Sequence, residues 1–245
     1  MNVFELKNVS LNYGDFPAVR KVNLQIKAGE RVALVGPSGA GKSSLINLLN
    51  GTLSPSAGEV WVLGQNLAQL KARALRRLQG RIGTIYQQFH LVDNLRVIHN
   101  VNAGHLGRWS LPKALFSLHW PLELSTATAA LTQVGIPEKI FEPTAQLSGG
   151  QQQRVAIARV LVQRPQVILA DEPIASLDPE RSREILDLLT ALSHHNGKTL
   201  LASLHAIHFA RSHFERIIGL RHGQILFDAP PDQLAGTAIE KLYEI

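Results

Sequence analysis

The chain has 245 residues, 45% of them hydrophobic, enough for a substantial core in one large domain or two small ones. It contains no cysteine, which excludes disulfides and thiolate metal sites, and no apolar run approaches the ~20 residues that span a bilayer. No charged-then-apolar leader opens it, so a cytoplasmic setting is expected. A net charge of +6 admits an acidic partner, nucleic acid or an anionic membrane surface, without choosing between them, and the histidines show no metal-ligand spacing such as HExxH.

In chain order, FELKNVSL and VNLQI read as strands, the second placing Val22, Leu24 and Ile26 on one face. RVALV, residues 31–35, reads as a short buried strand; Leu45, Leu48 and Leu49 then recur at helical spacing before Gly51, a C-cap. Between strand and helix lies GPSGAGKSS, with Gly36, four residues, then Gly41-Lys42-Ser43: the P-loop pattern. Its glycines let backbone N–H groups face a polyphosphate, and the helix N-terminus adds partial positive charge. The expected nucleotide contacts are Gly36, Ser38, Gly39, Gly41, Lys42, Ser43 and Ser44, with Lys42 reaching the β- and γ-phosphates and Ser43 ligating Mg²⁺.

GEVWVLG follows as a strand. In the basic run KARALRRLQGR, residues 71–81, Leu67, Leu70, Ala74 and Leu78 keep helical spacing, so it reads as the solvated face of an amphipathic helix rather than a nucleic-acid patch. RIGTIYQ is another strand, after which helical patterns replace strands, closing with QQQRVAIARVLVQ and a stripe of Val155, Ala158 and Leu161 or Val162. QVILADEP reads as a central parallel strand. Asp178-Pro179 opens a helix as N-cap and N1, with Ile185, Leu188, Leu189 and Leu192 buried and Gly197 at its end. TLLASLH is a further buried strand and RIIGLRHGQILFD a hairpin turning at His222-Gly223. The fold expected is α/β: one domain over residues 1–245, its P-loop nucleotide-binding core (about 1–88 and 160–245) interrupted by an α-helical subdomain (about 89–159).

A nucleoside triphosphate hydrolase needs a metal-holding carboxylate at the end of a strand beside the P-loop, and a base for the attacking water. VILADE offers both, Asp171 for Mg²⁺ and Glu172 as general base; carboxylates directly after an apolar run are costly unless used. LSGGQQQR, residues 147–154, places Ser148, Gly149 and Gly150, with Gln151 following, at a helix N-terminus: a second small anion site.

LSGGQQQR also resembles the signature motif of ATP-binding cassette (ABC) ATPases, and the resemblance extends over essentially the whole chain with each motif in the family's order. It implies an antiparallel β subdomain beside the core, ATP and Mg²⁺ as ligands, and a head-to-tail homodimer in which the signature of one subunit closes over the nucleotide of the other. It further implies that Tyr13 stacks on adenine. Gln87, with Gln88 its neighbouring alternative, would sense the γ-phosphate side, approach the metal and touch the transmembrane partner. Ser176-Leu177-Asp178 would cross the dimer interface, and His205 would orient the attacking water and γ-phosphate. The detached cassette is similar to those of bacterial importers, and MNVFELKNVSLNYG, GHLGRWS, ADEPIASLDP and IGLRHGQILFDAPPDQL look like the phosphonate-import ATPases, which include relatives serving phosphite and hypophosphite. The partners so implied are a second copy of the chain, transmembrane permease subunits and, indirectly, a solute-binding protein, with no nucleic acid. The place implied is the cytoplasmic face of the inner membrane, held peripherally. The alternative is the detached ATPase of an ABC exporter or lipid-release system. Residues 105–122, HLGRWSLPKALFSLHWPL, are rich in tryptophan and leucine and fit either helical-subdomain core or a permease-contact surface.

Overall fold

A computed structural model of the chain describes residues 1–175, 177–195 and 197–244. Two sheets organise it. The smaller is antiparallel in the order β2-β1-β4-β5: β1 (Asn2–Tyr13), β2 (Phe16–Lys27), β4 (Ala57–Val62) and β5 (Gln65–Asn66). The larger has six strands in the order β10-β9-β3-β8-β7-β6: β3 (Arg31–Val35), β6 (Ile82–Ile85), β7 (Val167–Ala170), β8 (Thr199–Leu204), β9 (Arg216–Arg221) and β10 (Gln224–Ala229). All its pairs are parallel except the β9-β10 hairpin, which turns at His222-Gly223 as expected.

Alternation along the central strands explains why they read as unbroken apolar runs. Val32 and Leu34 face the small sheet and join a core with Leu6, Leu24 and Ile26, filled by Leu45, Ile46, Leu48 and Leu49 of α1 (Lys42–Leu49). Ala33 and Val35, with Ile168, Ala170 and Ala202, face the opposite core. That core is built by α3 (Val97–Asn102), α5 (Leu124–Gln133), α6 (Gly149–Gln163), α7 (Pro179–His195) and α8 (Ile207–His213). Helix α2 (Ala72–Gln79) reaches the first core through Leu78, helix α4 (Leu111–His119) lies outside these layers, and α9 (Gly236–Tyr243) buries Leu242 in the second core.

Three expectations are corrected. Leu67 and Leu70 do not belong to the basic helix: residues 67–69 form a 3₁₀ turn capped by Asn66, whose side chain accepts the Ala68 N–H, and α2 starts only at Ala72. The two leucines still pack against the first core, and so mimic a helical stripe. Helix α6 is not one-sided: Val155, Ala156, Ile157 and Ala158 are all buried, because α3, α5 and the large sheet enclose it. In residues 105–122, His105 and Ser117 are buried, but Leu111, Leu115, Phe116, Leu118 and Trp120 are exposed, so the core reading fails for those five. Among the described residues no helix is long and apolar enough to cross a membrane.

Candidate functional site

The parallel strands end along one edge of the large sheet, and the chain's chemistry collects there. β3 runs into the P-loop, β7 into Asp171-Glu172, β8 into His205 and β6 into Tyr86-Gln87. Asp171 ends β7 beside the P-loop, as expected, although β7 is not the immediate neighbour of β3. β8 sits between them and lends both its end residue and an internal hydroxyl to the site.

The P-loop conformation demands glycine at two points. Gly41 has φ of 102°, and a Cβ there would fall 2.3 Å from the Ala18 carbonyl oxygen; at Gly36 a Cβ would meet the Leu220 carbonyl at 2.1 Å. Lys42, only 4% exposed, donates from Nζ to the carbonyls of Gly36 (2.8 Å) and Pro37 (3.1 Å) and stands 3.9 Å from Glu172 Oε1. Burial pushes its pKa below the ordinary lysine value, while Glu172 and then Asp171 pull it back up.

Asp171 Oδ1 accepts hydrogen bonds from Ser43 Oγ (3.0 Å) and Ser203 Oγ (2.8 Å). Ser203 Oγ also accepts the Glu172 backbone N–H at 2.8 Å, so one buried hydroxyl ties both acids to β8. Glu172 has φ of 48°, a left-handed conformation that costs a non-glycine residue energy and turns its carboxylate back over the sheet edge. There its Oε1 lies 2.5 Å from His205 Nε2. Beyond the pair opens a cavity of about 500 Å³ walled by Ile174, Leu177, Pro179 and Phe209.

Ser43 and Asp171 present hard oxygen donors side by side at a helix N-terminus. That donor set fits Mg²⁺, which takes one or two protein oxygens and completes its shell with water and phosphate. Among the described residues no cluster of three or more His, Asp or Glu offers a fuller metal cage.

The other expected residues are placed more loosely. Tyr13, half exposed at the end of β1, has its hydroxyl 3.5 Å from Ser44 Oγ, beside the start of α1. Ser38 and Gly39 lie on the exposed crest of the loop. Gln87 and Gln88 are exposed in the turn after β6, and among the described residues neither bonds to Ser43 or Asp171. Ser148 caps α6 in a reciprocal box: its Oγ accepts the Gln151 N–H (3.4 Å) and Gln151 Oε1 accepts the Ser148 N–H (3.0 Å). A Cβ on Gly149 or Gly150 would meet nothing within 4 Å. Asp178 caps α7 by accepting the Arg181 N–H at 3.0 Å, which holds its carboxyl below the usual range. Ser176 lies outside the described residues.

Reasoning from sequence missed three residues. Ser203 was legible as the one polar residue inside the apolar stretch LLASL, since a fully buried hydroxyl needs partners. Gln153, buried on α6, donates from Nε2 to the carbonyl of Pro173, next to Glu172. Arg159 on the same helix donates to the carbonyls of Phe89 (2.6 Å) and His90 (2.7 Å), just past Gln87. No spacing rule reveals the last two, because their partners are distant in sequence.

This arrangement of lysine, hydroxyl-bound aspartate and histidine-paired glutamate, with a second glycine-rich helix N-terminus, has a match in sequence: residues 19–175 fit the ABC transporter family. The chain belongs to that family. It is therefore an ATPase, and its two sheets and inserted helices are the ABC ATPase fold. It is 49% identical over 226 residues to the "Phosphonates import ATP-binding protein PhnC" of Pseudomonas fluorescens (strain Pf0-1), covering 92% of this chain and 85% of the relative. The protein of that name from Pseudomonas putida (strain KT2440) is 44% identical over 97% of this chain and 88% of its own. Among solved structures, the dimeric post-hydrolysis state of the ATP-binding cassette MJ0796, bound to ADP and Pi, superimposes with a TM-score of 0.81 at 34% identity, covering 93% of this chain and 98% of that one.

Proposed function

We propose that this chain is the ATP-hydrolysing subunit of an ABC importer, held peripherally at the cytoplasmic face of the membrane by permease subunits, and that the imported solute is phosphonate or a related reduced-phosphorus oxyanion. The hydrolytic half of the reading rests on the Glu172–His205 pair, 2.5 Å apart at the end of the P-loop strand set. The solute follows from kinship with the Pseudomonas phosphonate importers alone, because the ATPase of an importer does not contact the solute.

In this reading Lys42 leaves the Gly36 and Pro37 carbonyls for the β- and γ-phosphates of ATP, a stronger charge-assisted partner. Ser43 and Asp171 would hold Mg²⁺, with Gln87 approaching from the same side; the ion would offset charge on the phosphate oxygens. Glu172 takes the proton of the attacking water, and His205 holds water and γ-phosphate in line. Tyr13 supports the adenine ring. Ser148, Gly149, Gly150 and Gln151 of a second copy cover the nucleotide, with Asp178 near the interface. The open faces of Gly149 and Gly150 support this role, since nothing within the described chain requires glycine at either place. Leu111, Leu115, Phe116 and Trp120 on and beside α4 are the exposed apolar surface that permease helices would cover.

The test is transport. Vesicles carrying this chain with its permease and solute-binding protein take up a radiolabelled alkylphosphonate only with ATP inside and the loaded binding protein outside. Uptake of unrelated solutes alone removes the phosphonate reading, and outward movement of lipid or solute puts the exporter reading in its place.

A further inference from the structure

The loop that carries His205 is fastened from behind by the last helix of the described chain. Helix α8 follows the loop with no side-chain cap at its N-terminus. The His205 carbonyl instead accepts a 2.8 Å hydrogen bond from the Tyr243 hydroxyl of α9, which lies 38 residues away. Burial pushes that phenol's pKa above its ordinary value, so it stays protonated and able to donate over the working pH range.

Helix α9 is itself held at both ends. Leu242 is fully buried in the core to which Ala206, Ile207 and Phe209, the residues after His205, also belong. At the far end Arg221 donates from one guanidinium to the carbonyls of Lys241 and Glu244, the latter at 2.7 Å, satisfying the last turn of the helix. At the near end Arg211 donates to the Leu234 carbonyl at 2.8 Å. Arg221 follows Leu220, the residue whose carbonyl abuts Gly36 of the P-loop. One strand end thus touches the phosphate loop on one side and, through Arg221, α9 and Tyr243, the histidine loop on the other.

We propose that α9 is a strap that sets the direction of the His205 imidazole, with Tyr243 as its positioning residue. The proposal rests on the reading that His205 orients the attacking water. Fixing the His205 carbonyl narrows the positions from which the ring can meet Glu172, 2.5 Å from its Nε2. Releasing the tie widens the range of ring positions without touching any group that binds ATP. The expected consequence is a loss in turnover and not in affinity.

The experiment measures phosphate release from Mg·ATP by the full chain, as parent, His205→Ala, Tyr243→Phe and Arg221→Gln. His205→Ala is expected to slow hydrolysis by about a hundredfold or more if the histidine acts in the chemical step. Tyr243→Phe is expected to lower kcat about three- to tenfold, the rate equivalent of one hydrogen bond, with the KM for ATP unchanged. Arg221→Gln, which frees the same last turn of α9 through the Lys241 and Glu244 carbonyls on either side of Tyr243, shows the same split and covers the case in which Tyr243→Phe fails to fold. ATP affinity, read in a Glu172→Gln background, stays at the value of that parent in both. A parental kcat in Tyr243→Phe and Arg221→Gln, or a loss confined to KM, overturns the strap; a parental kcat in His205→Ala overturns the role of the histidine on which it rests.

Discussion

Lys42 illustrates how this site is organised against stability. Its ammonium is nearly inaccessible, and burial dominates its environment even with Glu172 and Asp171 close by. The folded-state pKa lies below the unfolded one, so the unfolded chain holds the proton more tightly; stability rises with pH between those two values, and at neutral pH the buried charge is a cost. Replacing it by a methionine of similar length removes that cost together with the proposed phosphate ligand. Lys42→Met is therefore expected to melt, without nucleotide, at or above the parental temperature, and to gain nothing from added ATP, where the parent gains several degrees. Scanning calorimetry with and without Mg·ATP reads both effects. Glu172→Gln differs in kind: ATP binding persists, and hydrolysis falls by about two orders of magnitude or more, as for loss of a general base. Single-turnover phosphate release separates binding from chemistry, and a parental rate removes Glu172 from that role.

At the scale of elements, β8 and α6 join parts of the site that the sequence keeps far apart. Ser203 of β8 binds the Asp171 carboxylate and the Glu172 N–H together. Ser203→Ala leaves that N–H unpaired and removes one donor from a buried acid. It is expected to destabilise the chain by about 1–3 kcal/mol in urea unfolding and to slow hydrolysis through displacement of Glu172. An unchanged urea midpoint contradicts the link. The P-loop and the caps at Ser148 and Asp178 were legible because each is local: its donors and acceptors lie within a few residues, and glycine or a short polar side chain is chemically required there. The insertion of β8 between β3 and β7 was not legible, because strand order is set by nonlocal pairing that every apolar strand satisfies equally well. Leu67 and Leu70 misled for a related reason: a 3₁₀ turn followed by an extended residue can bury two leucines as a helix would. The exposure of α4 was undecidable from its residues, since leucine and tryptophan serve a core and a docking face alike.

On the scale of the whole molecule, the proposed function gives each chain two parts of a nucleotide site that do not meet among the described residues. The small cavity beside Ser148 and Gly150 is walled by Arg154, Leu177, Arg181 and Glu184, with no P-loop residue among the described ones. The same α6 reaches Pro173 through Gln153 and the segment after Gln87 through Arg159. In the proposed reading, a partner's nucleotide at the α6 N-terminus would thereby be linked to Glu172 and to the turn after β6. If a second chain completes the site, as proposed, turnover depends on association. The most direct measurement is ATP hydrolysis per chain across a dilution series, with light scattering on the same samples. The account predicts that specific activity rises with protein concentration over the range in which ATP-dependent dimers form, and that Ser148→Arg abolishes the rise. Constant activity per chain down to concentrations where scattering finds only monomer would contradict it.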